Sequence, residues 1–218
     1  MPHFTHHRLR ESSRVSAAVQ APPVARVDRR QRPLTNRAAG GESRRSGSVT
    51  PPERWYEPHM QSRMRIITQK PGEGYRHVVT AAEVRERLAR LPAKFTRSLE
   101  IVQLSGMTRK KLTYPCYGMQ WGSAIYLYPI EESLTETFHR PPRPAELIEA
   151  RQFGGRWIQV SRDRWQLRWD ESSLRDFYLN NILIHELGHL VDQRNSSSVD
   201  RERYAEWFAL EYGYKPTR

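Results

Sequence analysis

Residues 185–189 read His-Glu-Leu-Gly-His, and this short string constrains the chain more than any other feature of its sequence. On an α-helix, side chains four residues apart lie one above the other on the same face. His185 and His189 would therefore present two imidazoles to a single divalent metal ion. Glu186, next to the first histidine, would lie close enough to take a proton from water held by that metal. We predict that this segment is a helix that carries a metal site.

The surrounding sequence predicts the helix that such a site needs. We expect it to begin at about Ser172 or Ser173 and to end at about Gln193. Gly188 in the middle of this helix costs about 1 kcal/mol relative to alanine, so we expect another element to pack closely against it. Apolar side chains follow one broad arc, as on the core-facing side of a surface helix; they are Leu183, Ile184, Leu187, Leu190 and Val191.

A third protein ligand is expected beyond the two histidines, and downstream carboxylates are the candidates. A second helix is predicted to begin after an N-cap at Asp200, and it carries Glu202 and Glu206. These two glutamates lie one turn apart on the same side of the helix, so periodicity alone does not choose between them. Ala205 and Ala209 border that side, and their small side chains would let the two helices approach closely.

The two motifs together resemble a known class of zinc peptidases. His185-Glu-Leu-Gly-His-Leu-Val-Asp192 followed by Ala205-Glu-Trp-Phe-Ala209 is similar to the gluzincins, the zincins whose third ligand is a glutamate. The pairing resembles in particular the family of the anthrax-toxin lethal factor peptidase domain. In that family the glutamate of the second motif binds zinc, so the resemblance implies Glu206 as the third ligand. It covers about a tenth of the chain and implies a metallopeptidase that requires Zn²⁺.

These residues define a reaction in which a metal ion activates water. Two imidazoles and one carboxylate leave a fourth position on zinc, as in catalytic sites, and zinc would polarise the substrate carbonyl. Glu186 is expected to act as general base and then to protonate the leaving amine. Asp192 is a candidate to accept the outer N–H of a ligand imidazole; a solvated aspartate near a helix end is the alternative. Candidate donors to the oxyanion are Tyr178, Tyr204 and His139.

The elements before the metal helix predict an α+β fold with a zincin-like plan: a small mixed β-sheet packed on the active-site helix, and a second, ligand-bearing helix. The Thr80-Ala-Ala-Glu83 pattern is a capping box that opens a helix to about Leu91. We expect Tyr117–Trp121, with Trp165–Trp169 as the substitute, to be the edge strand that pairs with extended substrate. The predicted strands are Tyr75–Val79, Leu99–Leu104, Tyr117–Trp121, Ala124–Tyr128, Trp157–Val160 and Trp165–Trp169.

The composition predicts two parts, a disordered tail rich in Arg, Ser and Pro at residues 1–52 and a metallopeptidase domain at residues 53–218. Residues 1–50 hold ten arginines against three acidic residues, and thus contribute +7 to the net charge of +12. No helical or strand period of apolar residues runs through them. The tail is therefore a candidate for weak contacts with nucleic acid or with acidic surfaces.

A peptide or protein is the expected substrate, but two other functions stay open. The positive charge favours a basic nucleic-acid-binding protein, and a zincin-fold protein could hold a regulatory metal. The general base Glu186 argues against the second, because a noncatalytic site does not need one. No apolar stretch suits a secretory signal or a transmembrane helix, and Cys116 is the only cysteine, which excludes an intramolecular disulfide. We therefore expect a cytoplasmic protein.

Overall fold

The computed structural model describes residues 64–113 and 116–217 of the 218-residue chain. In these two ranges the protein combines small β-sheets with helices, which confirms the predicted α+β class. The predicted tail at residues 1–52 and the predicted start of the domain at residue 53 lie outside the described residues. None of the helices in the two ranges has the length and apolar character needed to cross a bilayer.

The strands of the described residues form three sheets. They are β1 (Arg65–Thr68), β2 (Tyr75–Arg76), β3 (Ile101–Leu104), β4 (Gly118–Trp121), β5 (Ala124–Leu127), β6 (Ile130–Glu131), β7 (Thr135–Phe138), β8 (Arg156–Ser161) and β9 (Arg164–Arg168). The largest sheet has the order β1-β3-β5-β4. Strands β1, β3 and β5 are parallel, whereas β4 is antiparallel to β5 at the edge of the sheet. The prediction of Tyr117–Trp121 as an edge strand is thus confirmed, one residue shorter.

The two smaller sheets are antiparallel. One pairs β2 with β6, and the other has the order β7-β9-β8. The strands predicted at Trp157–Val160 and Trp165–Trp169 are confirmed as β8 and β9, which pair with each other. The predicted strand Tyr75–Val79 is too long, because Val78 and Val79 leave the sheet and are buried in the core just before Thr80 caps the next helix.

Seven α-helices lie in the described ranges: α1 (Ala81–Ala89), α2 (Ala93–Thr96), α3 (Arg109–Thr113), α4 (Pro144–Gln152), α5 (Glu171–Phe177), α6 (Leu183–Val191) and α7 (Ser198–Ala209). The predicted capping box opens α1. The Thr80 hydroxyl accepts a hydrogen bond from the Glu83 backbone N–H at 3.2 Å, and the Glu83 carboxylate accepts one from the Thr80 N–H at 2.8 Å. This reciprocal pairing satisfies two N–H groups that the helix itself cannot.

The metal helix is not the single regular helix predicted from about residue 172 to residue 193. Helix α5 begins after an N-cap at Asp170, and a π-helical turn at Tyr178–Ile182 joins α5 to α6. The Leu183 N–H donates to the Tyr178 carbonyl, five residues back, as in a π turn. Buried polar contacts accompany the widened turn, since the Asn180 side chain accepts from Arg87 Nε at 2.5 Å. The spacing of apolar residues along the sequence does not indicate such a π turn.

Helix α7 begins at Ser198, three residues before the start that an N-cap at Asp200 would give it. Its N-cap is Ser197, whose hydroxyl oxygen accepts a hydrogen bond from the Asp200 N–H at 3.1 Å. The same hydroxyl donates to the Asp200 carboxylate at 2.6 Å. The prediction of Asp200 as N-cap is therefore wrong, because serine caps a helix equally well and stands earlier. The helix continues into a second π turn, Leu210–Tyr214.

The main core lies between the inner face of the four-stranded sheet and α6. Inward-facing residues of β3 and β5 share one apolar cluster with α6; they are Val102, Leu104, Ile125 and Leu127 from the sheet and Leu183, Ile184 and Leu187 from the helix. All three helix residues are fully buried, as the predicted apolar arc requires. The remaining members of that arc, Leu190 and Val191, are partly buried against the same cluster. This packing fixes α6, which bears the two histidines, against the sheet.

Candidate metal centre

Helix α6 brings its two histidines together as the i, i+4 spacing predicts. The Nε2 atoms of His185 and His189 lie 3.1 Å apart, and the ring centroids lie 4.8 Å apart. His185 is buried, with 4% of its surface exposed, and 13% of the His189 side chain is exposed. The two Nε2 atoms can therefore reach the same ion from one face of the helix.

Helix α7 adds a carboxylate to this pair. One oxygen of Glu202 lies 3.6 Å from His185 Nε2, and the other lies 3.8 Å from His189 Nε2. The three side chains form a cluster that could hold a metal ion, with one ligand atom from each lying within 4.8 Å of the others. In a tetrahedral zinc site with bonds of about 2.0–2.1 Å, ligand atoms are separated by about 3.3 Å. The cluster thus has the donor types and the spacing of a divalent metal site.

The third member of the cluster differs from the one that the resemblance implies. Glu206 lies outside the cluster, and Glu202 takes the place expected for it. The rotation of α7 explains the difference. The Cα atom of Ala205 is the atom of α7 that would lie nearest to a Cβ on Gly188 of α6, and successive residues are about 100° apart around a helix. Glu202, three residues before Ala205, therefore lies about 60° from the contact, whereas Glu206 lies about 100° from it.

A glycine sets the closeness of the two helices, as predicted. A Cβ atom on Gly188 would lie 2.9 Å from the Ala205 Cα and 3.1 Å from the Phe208 Cβ. Any larger residue at position 188 would therefore push α7 away. A second link lies nearby, where the Arg201 guanidinium donates to the His189 carbonyl at 3.2 Å. Both contacts hold the start of α7, and with it Glu202, beside the histidines.

Glu186 lies on the side of α6 that faces the edge strand. It is buried, with 5% of its surface exposed. A Cβ atom on Gly118, the first residue of β4, would lie 2.9 Å from Glu186 Cγ and 3.1 Å from Glu186 Oε1. The carboxylate therefore lies between α6 and the backbone of β4, on the same helical turn as His185. Gly118 could have indicated in the sequence that β4 and α6 lie close together, because glycine inside a strand often marks a close contact.

Asp192 makes its hydrogen bonds with the turn that follows α6. It ends α6, and its carboxylate accepts hydrogen bonds from the backbone N–H groups of Arg194 and Asn195, each at 3.2 Å. The Asn195 side chain donates to the same carboxylate at 3.0 and 3.1 Å. Among the contacts of Asp192 within the described residues there is no bond from an imidazole. The carboxylate instead stabilises the turn that leads from α6 to α7.

The three candidate oxyanion donors have different surroundings. The Tyr178 hydroxyl is buried and donates to the Tyr128 carbonyl at 2.8 Å. Tyr204 packs against Trp207, with ring centroids 5.4 Å apart, and burial raises the pKa of its hydroxyl. His139 is an exposed residue that follows β7. The Tyr178 hydroxyl already has a backbone partner, so it is the least suited of the three to bind an oxyanion.

Comparison with models of known protein families, with curated proteins and with solved structures found no match for this chain. Any functional conclusion therefore depends on the site itself. That site consists of two imidazoles and a carboxylate at metal-binding distances, with a buried glutamate beside them.

Proposed function

We propose that this protein is a zinc metallopeptidase with a zincin-like fold, in which His185, His189 and Glu202 hold the metal. The observation that carries the proposal is the convergence of these three ligands beside the buried Glu186. Two nitrogen donors and one carboxylate suit zinc and leave a further position open, which is typical of catalytic sites. A site that only stabilises the fold is usually closed by a fourth protein ligand.

The protein residues divide the chemistry between them. Zinc, when bound, supplies a Lewis acid that activates water and polarises the peptide carbonyl. The Glu186 carboxylate accepts the proton of the attacking water and delivers it to the nitrogen of the leaving amine. Burial of this carboxylate between α6 and β4 restricts its movement, which favours proton transfer along one path.

The edge strand β4 supplies a place for the substrate. One side of β4 pairs with β5, and its other side is an edge of the sheet. An extended peptide can add to such an edge through backbone hydrogen bonds, which hold its conformation with little dependence on sequence. Because β4 also contacts Glu186 through Gly118, a peptide that pairs with β4 would run close to the general base.

Metal analysis and a cleavage assay on a broad peptide library test this proposal. Wild-type protein is expected to carry one zinc ion per chain and to cleave peptides. Glu186→Gln should retain the zinc and reduce cleavage by about 10²-fold or more, because the general base is lost. Glu171→Gln, an exposed glutamate at the start of α5, is the matched control and should cleave as wild type does. Zinc without cleavage would favour a regulatory metal, and a protein without zinc would refute the metal site.

A further inference from the structure

The glycine at the start of β4 is required by space and not by backbone conformation. A Cβ atom on Gly118 would lie 2.7 Å from Ile182 Cγ2, 2.9 Å from Glu186 Cγ and 3.1 Å from Glu186 Oε1. Its φ lies outside the left-handed region in which glycine is favoured. Any residue could therefore adopt this backbone, but a side chain here would overlap with two residues of the metal helix.

This glycine weakens the strand in which it lies. Glycine has no side chain to pack and loses more conformational freedom on folding than other residues do. Gly118 nevertheless pairs with Leu127 within the central sheet, close to a buried part of the core. Two of the three atoms nearest to its missing Cβ belong to Glu186. The gain that offsets the weakened strand is therefore room for the side chains of Ile182 and Glu186.

We propose that Gly118 is a positioning residue, which lets the Glu186 carboxylate lie close to the backbone of β4 and so fixes where the base acts. The inference rests on the proposed peptidase function, and it adds a residue that the metal-site motif does not contain. A Cβ at this position must displace both Ile182 and Glu186, since each would lie closer than 3.0 Å to it and the backbone of β4 is held by its pairing with β5. Displacement of a catalytic group by about 1 Å can lower a rate about 100-fold.

Kinetics of Gly118→Ala in the full-length protein test this role. We expect kcat to fall about 10- to 100-fold, whereas KM and zinc content change less than about twofold, because the three atoms nearest to a Cβ at position 118 belong to Ile182 and Glu186 and not to the three ligand residues. A kcat within about threefold of wild type would overturn the proposal, and so would a loss of zinc equal to the loss of rate.

A merely structural role of the glycine predicts a different outcome in a second variant. Ile182→Leu removes the branch at Cβ that lies nearest to position 118, with almost no change in side-chain volume. In Gly118→Ala/Ile182→Leu we expect the melting temperature to recover while kcat stays low, since Glu186 is still displaced. If kcat recovers together with stability, the glycine serves packing against Ile182 and the proposal is wrong.

A third measurement does not depend on catalysis. Glu186→Ala removes the Cγ and the carboxylate that a Cβ at position 118 would meet, so Gly118→Ala should lower the melting temperature less in that background than in wild type. If the changes in melting temperature of the two single variants add up in the double variant, Gly118 and Glu186 do not interact. If Gly118→Ala alone does not fold, the same cycle is measured with Ile182→Leu present. A wild type that cleaves nothing would refute the peptidase function, while this cycle would still test the contact.

Discussion

The two sides of helix α6 each depend on a glycine, but the two glycines control different groups. On the side of α7, Gly188 meets Ala205, and this contact brings Glu202 to the histidines. On the side of the sheet, Gly118 of β4 meets Glu186. The first contact joins two helices and positions the proposed metal ligand Glu202, whereas the second joins a helix to a strand and positions the proposed base Glu186. Metal binding and proton transfer should therefore be separable by mutation.

The largest expected effect lies on the helix–helix side. Glu202→Gln replaces a carboxylate ligand by a neutral amide, and we expect zinc affinity to fall at least about 100-fold, more than for residues that only orient a ligand. Glu206→Gln is the matched control, because it makes the same change one turn along α7 and outside the cluster. Equilibrium competition with a zinc chelator measures both.

The opposite result would restore the assignment that the resemblance implies. If Glu206→Gln loses zinc and Glu202→Gln keeps it, α7 must turn by about 40° and shift by about 6 Å along its axis when the metal binds, because these are the angle and the rise that separate the two residues on the helix. The closeness of Gly188 and Ala205 argues against such a rotation, because turning α7 would move Ala205 out of the contact.

Alanine at each of the two glycines should have opposite effects on zinc binding and on turnover. In Gly188→Ala the added Cβ would lie 2.9 Å from the backbone Cα of Ala205, so no side-chain rotation relieves the overlap. We expect α7 to move outward and zinc affinity to fall about 10- to 100-fold. The free energy of unfolding should decrease by about 1–3 kcal/mol. The proposed effect of Gly118→Ala is the reverse, with zinc kept and turnover lost.

Zinc titration and thermal unfolding of the two alanine variants, side by side, measure this contrast. Equal loss of zinc in both would mean that the two contacts of α6 are not independent. Unchanged zinc affinity in Gly188→Ala would mean that α7 can shift by a few tenths of an ångström without moving Glu202.

Sequence reasoning succeeded where a residue's neighbours along the chain determine its role. The i, i+4 spacing of His185 and His189 brings them together in any regular helix, and the mid-helix Gly188 indicated the close approach of another helix. The capping box at Thr80 is equally local, since both of its hydrogen bonds span three residues.

The features that sequence reasoning left open or placed differently depend on contacts that periodicity does not encode. Glu202 and Glu206 differ only in their angle from the α6–α7 contact, which periodicity within α7 cannot supply. The π turn at Tyr178–Ile182 coincides with bonds to residues far away, such as that from Arg87 to Asn180. Asp192 could serve an imidazole or the following turn, and Asn195, three residues later, takes both of its oxygens.

The smallest expected effect lies at the start of α5, away from both contacts of α6. Asp170 caps this helix: its carboxylate accepts hydrogen bonds from the Ser173 N–H at 2.8 Å and from the hydroxyls of Ser172 and Ser173 at 2.7 Å. The bond from the Ser173 backbone is the main cause that lowers the pKa of Asp170 to about 2. Asp170→Ala should destabilise the protein by about 1 kcal/mol at neutral pH and leave zinc content unchanged.

The pH dependence of this last effect has a definite sign. Because the pKa of Asp170 is about 2 in the folded protein and 3.8 as the ordinary value, its charged form stabilises the fold above about pH 4. That contribution is lost as the pH falls from about 4 to about 2. Asp170→Asn retains a good capping residue without the charge, so urea unfolding of wild type should approach that of Asp170→Asn at the acidic end. A difference between the two proteins that does not change with pH would show that the charge of the cap contributes nothing, and a loss of zinc in either variant would show that the start of α5 is coupled to the metal site.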